Sequence, residues 1–179
     1  NDENIDPLSM ITPSADILVM AGDIGSLYKF DQLCNFIENI IPHFKHTLYV
    51  PGNHEYYMPP ERKYIPHNDL VDRLHQLDKM FSNFNVLDRN CVQIGGLCIS
   101  GATLWSKIEC EIPRYIVRIP DMTVDKYIGM FNRDLSYIEA VIEYCKKNEL
   151  QLLCVTHHPP SKRVLTGRNR KHTKFNTLY

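Results

Sequence analysis

What this chain lacks narrows it first. It has no apolar run of 18 residues or more, no secretory leader pattern, no Asn-x-Ser/Thr acceptor, no internal repeat and no low-complexity stretch. Nothing in it therefore reads as a membrane-spanning helix, and a reducing, cytoplasmic compartment is the default expectation. An excess of charge is missing as well: 20 Lys and Arg against 21 Asp and Glu leave a formal charge of −1. A protein that is basic throughout, as many nucleic-acid binders are, is excluded, so any phosphate-binding charge must be local. No Cys-x-x-Cys spacing joins the six cysteines. Cys34, Cys91, Cys98, Cys145 and Cys154 sit among apolar neighbours and read as buried thiols, with Cys110 left as an exposed thiol and His172 as a solvated imidazole.

What is present is length enough for one domain, 179 residues, able to bury roughly 70% of the surface an unfolded chain exposes. The organising stretch runs from Leu48 to Glu55, Leu-Tyr-Val-Pro-Gly-Asn-His-Glu: a short apolar run that stops at an amide, an imidazole and a carboxylate. Ile17 to Asp23 and Leu152 to His158 share that design. Runs of four or five apolar residues are too short for a lone helix and too hydrophobic for a half-exposed strand. They read as strands covered on both faces, which makes the chain α/β. In such sheets the site lies beyond the carboxyl ends of the strands, where Asp23, Asn53, His54, His157 and His158 all fall.

Between these strands the pattern predicts a helix from Leu27 with Ser26 as N-cap and Pro42 as stop, giving a βαβ unit, and a second helix from about Asn68 with Leu70, Leu74, Leu77 and Phe81 on one stripe. Asn85 to Leu87, Cys91 to Ile94 and Leu97 to Ser100 read as short strands, the last two joined by a Gly95-Gly96 hairpin. Gly101 to Trp105 suggests backbone packed closely beneath a site. Residues 106–132 suit a lid or insertion. A third helix is expected from Asp134, with Leu135, Ile138, Val141, Ile142 and Cys145 inward and Asn148 at its end.

A carboxylate, an amide oxygen and one or two imidazoles form a mixed N/O donor set suited to Mn, Fe or Zn rather than Ca or Cu(I). Two dications about 3.5 Å apart would repel by roughly 19 kcal/mol at an effective dielectric near 20, so bridging anions are needed. Asp23 is the natural bridging carboxylate, with a hydroxide as second bridge and nucleophile. Asn53 would lend its carbonyl to one metal. His54 would face the substrate as general acid.

These blocks resemble a known family. Gly22-Asp23, Gly52-Asn53-His54-Glu55 and Thr156-His157-His158-Pro159-Pro160 look like signature blocks of the calcineurin-like metallophosphoesterases, and Gly101 to Trp105 is similar to a segment of a bacterial and viral branch. The resemblance implies a four-layer αββα sandwich of two mixed β-sheets flanked by helices, two divalent metal ions, and hydrolysis of phosphate mono- or diesters. By position it makes Asp23, Asn53 and His157 metal ligands, His54 the catalytic acid and His158 a supporting residue.

The family's opening Asp-x-His and closing Gly-His-x-His are not in the chain, so residues 1–179 are expected to be a single such domain lacking its first strand and last metal-binding segment. The second Asp and the Arg of Ser/Thr protein phosphatases are also missing after Gly22-Asp23, which disfavours that class. The expected partner is a small phosphate-ester substrate, a nucleotide among the candidates, with no membrane; nucleic acid and oligomeric state stay open. A catalytically inactive, protein-binding scaffold of the same fold is the alternative. Arg163, Arg168 or Lys171 in the basic tail is a candidate phosphate holder beside the plainer reading of a solvated loop. Tyr56, Tyr57 and Trp105 are either core or a stacking surface for a base.

Overall fold

A computed structural model describes residues 6–61, 63–108 and 117–164. Its first sheet is parallel throughout, in the order β1 (Ile17–Ala21), β2 (His46–Val50), β3 (Phe84–Val86). The second holds β4 (Asn90–Ile94), β5 (Leu97–Ala102) and β6 (Gln151–Thr156), with β4 antiparallel and β6 parallel to β5. Ile94 pairs with Leu97, so Gly95-Gly96 is the two-residue turn, and Gly95 takes a φ of 60° that its lack of a Cβ permits.

Three apolar clusters define four layers. On β2, Tyr49 faces α1 (Phe30–Ile40) and α2 (His67–Asp78), packing with Leu33, Ile37, Leu70, Leu74 and Leu77. Its neighbours Leu48 and Val50 point the other way and meet Leu87 and Ile99 between the sheets. Alternation along one strand thus feeds two cores, which is why its sequence is apolar without a break. On the far side Cys98 packs against Val141 and Cys145 of α3 (Val124–Lys147). The result is the α/β sandwich of two sheets flanked by helices.

Local signals fared unevenly. Ser26 does cap, accepting from the Tyr28 N–H, but it caps a 3-10 turn, Leu27–Lys29, ahead of α1. Phe81 lies beyond the end of α2. The third helix begins at Val124, ten residues before the expected Asp134, with the Thr123 hydroxyl accepting from the Lys126 N–H. Its inward stripe is Tyr127, Met130, Asp134, Tyr137, Val141, Cys145, an unbroken three-four spacing in which a carboxylate takes a core position. Leu135, expected inside, is 38% exposed, and Ile138 and Ile142 are half-buried.

Two further expectations need correction. Leu152 to Thr156 forms a strand, yet among the described strands β6 is outermost in its sheet and Leu153 stays 44% exposed. An edge strand is paired on one side only, and Leu153 is not among the residues packed between the sheets, whereas Val155 is. Of the five cysteines read as core, Cys98 and Cys145 are buried, Cys34 is half-buried, and Cys91 and Cys154, on the two outer strands, are exposed. Cys110, Arg114, Arg168, Lys171 and His172 lie outside the described residues.

Candidate metal centre

The carboxyl ends of β1, β2 and β6 open on one rim. At β1 the chain turns through Gly22 (φ 92°) and Asp23 (φ 58°), a left-handed pair that throws the Asp23 side chain across to the loop after β2. There Asp23 Oδ1 accepts from the His54 backbone N–H at 3.0 Å. The approach leaves no room for side chains at two points: a Cβ on Gly22 would run into the His157 ring, and one on Gly52 into the Asp23 carboxylate. Glycine is required at both because the donors sit where the methyl would be.

Glu55 fastens the two loops together. It has no exposed surface, and its Oε1 accepts from Tyr49 Oη (2.6 Å) and the Ile24 N–H (2.9 Å) while Oε2 accepts from the Gly52 N–H (2.9 Å). Burial pushes the Glu55 carboxyl above its ordinary range, against the lowering effect of the Tyr49 hydroxyl and the Ile24 N–H and with the Asp23 charge adding to the rise.

His157 and His158 come from β6, and each has its outer nitrogen tied to a backbone carbonyl. His157 Nδ1 lies 2.8 Å from Ala21 O and His158 Nδ1 3.2 Å from Leu104 O. A carbonyl only accepts, so each Nδ1 carries its proton and, in the neutral ring, each Nε2 presents a lone pair. Both Nε2 atoms stand 3.1 Å from Asn53 Oδ1. His157 Nε2 is also 3.4 Å from Asp23 Oδ1. The amide is oriented by its own Nδ2, which donates to Tyr57 Oη at 2.8 Å.

His158 decides what this means. Burial, and then the neighbouring His157, push its pKa down to about 4, so it is neutral near pH 7. Its Nε2 and the Asn53 carbonyl oxygen are both able to donate an electron pair toward the same point, as two ligands of one cation do. Among the described residues no three His, Cys, Asp or Glu side chains gather as a metal cluster. The hub is instead an amide oxygen, which two imidazoles reach and which a carboxylate adjoins through His157. That N/O donor set fits one divalent ion of the kind imidazole, amide and carboxylate favour.

His54 points elsewhere. Its ring is exposed and stacks on Tyr57, centroids 4.4 Å apart and planes 19° from parallel. One tyrosine thus supports the exposed imidazole with its face and orients the Asn53 amide with its hydroxyl.

The structure brings Asp23, Asn53, His54 and His157 to one rim and places His158 as close to Asn53 as His157 is. Sequence reasoning placed Glu55 in a signature block without a role and read Tyr57 as core or a stacking surface for a base, so it missed that Glu55 ties two loops together and that Tyr57 orients Asn53; their places one and three residues after His54 were the only signal. Tyr56 and Trp105 are 3% and 2% exposed, which makes them core, and Arg163 is exposed in the described part of the tail. Gly101 is close-packed as expected, since a Cβ there would press on Val50 and Leu87.

Comparison with known proteins finds similarity to a family and to a viral protein. The sequence model described as calcineurin-like phosphoesterase matches residues 4–176. An uncharacterized protein, L509, of Acanthamoeba polyphaga mimivirus is 26% identical over 159 aligned residues, covering 80% of this chain and 55% of the relative. The chain therefore spans about half the length of that relative.

Proposed function

The chain belongs to the calcineurin-like phosphoesterases, and from that premise we propose that it is a metal-dependent hydrolase of small phosphate mono- or diesters. Asp23, Asn53 and His157 are the proposed ligands, for which the family implies two ions drawn from Mn, Fe or Zn. The observation that carries the reading is the convergence of two imidazoles on one amide oxygen, Asn53 Oδ1, 3.1 Å from each ring nitrogen, with the Asp23 carboxylate 3.4 Å from one of them. When bound there, a divalent cation would supply Lewis acidity to a phosphoryl oxygen and make water a stronger nucleophile.

The remaining work falls to side chains. Asp23, held by the His54 N–H, and His157, held by Ala21 O, fix their donor atoms before any ligand arrives. His54, exposed and stacked on Tyr57, is the proposed general acid that hands a proton to the departing alkoxide. A cavity of about 250 Å³ opens beside Asp23, lined by Ile24, Ser26, Lys29, Leu33 and Phe36, and suits the organic part of a small ester.

Hydrolysis of p-nitrophenyl phosphate and of its bis ester with added Mn²⁺ tests the proposal against Asn53→Ala, which should abolish turnover. His54→Gln should slow an alkyl ester by about 10²- to 10⁴-fold and the p-nitrophenyl ester far less, because a good leaving group needs no proton. Equal losses on both would remove His54 as acid.

One observation favours the alternative, a phosphoesterase-like scaffold without turnover: the described donors amount to one cation's worth. No hydrolysis by either protein, together with Mn²⁺ binding lost in Asn53→Ala, would select it.

A further inference from the structure

A guanidinium stands at the metal rim with no acid to answer it. Arg118 is exposed, and its Cζ lies 5.9 Å from the centre of the Tyr57 ring, which stacks on His54 and whose hydroxyl accepts from the Asn53 amide. It has no carboxylate partner among the described residues. Asp121, three residues on, is turned to Tyr64 Oη and the His67 N–H. At the rim itself Asp23 accepts from the His54 N–H, and Glu55 is enclosed by its three donors.

Tyr57 feels both sides of this arrangement. Burial raises its pKa most, the Asn53 hydrogen bond lowers it, the Asp23 carboxylate raises it and Arg118 lowers it. The guanidinium and the Asp23 carboxylate therefore act on one hydroxyl, itself 2.8 Å from Asn53 Nδ2.

The root of the side chain is fixed while its end is open to solvent. The Arg118 carbonyl accepts from the Met58 N–H at 2.8 Å, one residue past Tyr57, and Ile119 and Met122 are buried. Asp121 adds a second stitch, accepting from Tyr64 Oη at 2.6 and 2.7 Å. A long cation on an anchored backbone, free of acids and one ring away from the donors, can reach an anion held at the rim.

We propose that Arg118 binds the phosphoryl group of the substrate and makes the site prefer phosphate monoesters to diesters, an assignment that rests on the hydrolase reading. A monoester has three oxygens free of carbon and a diester two. With one oxygen turned to the Asn53 hub, the monoester keeps two for the guanidinium fork and the diester keeps one. The monoester also brings the larger negative charge.

Initial rates on p-nitrophenyl phosphate and its bis ester, with Mn²⁺ and at fixed ionic strength, compare wild type with Arg118→Gln and Arg118→Lys. Arg118→Gln should lower kcat/KM for the monoester at least about tenfold, chiefly through KM, and move the bis ester far less. Arg118→Lys keeps the charge but not the fork and should recover part of the loss. Calorimetric Mn²⁺ affinity and the urea midpoint should match wild type in both variants, which separates a contact with substrate from a prop for Tyr57. A wild type that favours the bis ester, an equal effect of Arg118→Gln on both esters, or weakened Mn²⁺ binding would overturn the proposal. If the wild type hydrolyses neither ester, the hydrolase reading fails and Arg118 is judged by binding alone. The Mn²⁺-loaded protein should then hold phenylphosphonate, at mildly alkaline pH, at least about tenfold more tightly than its monomethyl ester, a gap that Arg118→Gln closes. No gap in the wild type, or the same gap in the variant, would overturn the proposal as well.

Discussion

Among the described residues two carboxylates have no solvent exposure, Glu55 under the metal rim and Asp134 inside α3, and they are used differently. Glu55 is bonded by one hydroxyl and two backbone N–H groups, with no cation near it among its partners. Asp134 holds the Arg89 guanidinium at 2.8 Å and the Trp105 N–H at 3.2 Å. Burial raises the pKa of both. The contrast teaches where a buried charge can be answered by dipoles and where it needs an opposite charge. Beside Asp23, Asn53 and the two histidines, a guanidinium would repel any divalent ion, so neutral donors answer Glu55. At the α3 corner no such demand exists, and an ion pair does the joining.

Removing Glu55 should break this contrast most severely. Glu55→Ala orphans three donors at once and is expected to cost about 4 kcal/mol in urea unfolding, with loss of Mn²⁺ binding as the two loops separate. A loss under about 1 kcal/mol would show that the loops do not depend on it. Asp134→Asn should cost about 2 kcal/mol by leaving Arg89 with Asp88 alone, while calorimetric Mn²⁺ affinity stays at the wild-type value. If the two variants lose metal affinity equally, the regions are not separate.

Tyr57→Phe is a finer probe of the rim. The ring beneath His54 remains but the hydroxyl that orients Asn53 is gone, so Mn²⁺ affinity should fall roughly tenfold with stability within about 0.5 kcal/mol of wild type. An unchanged affinity would show that Asn53 is oriented without Tyr57. The smallest effect belongs to the α3 region. Gly129 lies inside the helix with only the Arg133 guanidinium, 3.5 Å away, near a prospective Cβ, so Gly129→Ala should raise the urea midpoint, worth up to about 1 kcal/mol. Gly52→Ala, whose methyl meets the Asp23 carboxylate, should go the other way.

Much of the fold was legible in local pattern. Leu70, Leu74 and Leu77 announced α2 because a helix buries every third or fourth residue, and Gly95-Gly96 announced a hairpin because few other pairs turn so tightly. Asp134 hid the start of α3, since a carboxylate in a hydrophobic stripe reads as a boundary until its partner, Arg89, 45 residues upstream, is known. Leu153 misled in the opposite sense: an apolar run signals burial, but only the sheet order shows that β6 is outermost.

The candidate site divides the same way. Residue type and position after an apolar run singled out Asp23, Asn53, His54, His157 and His158 as candidates, because donors must stand at strand ends to meet, and only the family resemblance preferred His157 to His158 as ligand. The order of the strands, not their composition, then placed His158 beside Asn53, Tyr57 beneath His54 and Glu55 between two loops. A sequence determines which groups can bond along a few neighbouring residues; which distant groups share a lone pair, a ring face or a buried proton is decided only when the sheets close and exclude water around them.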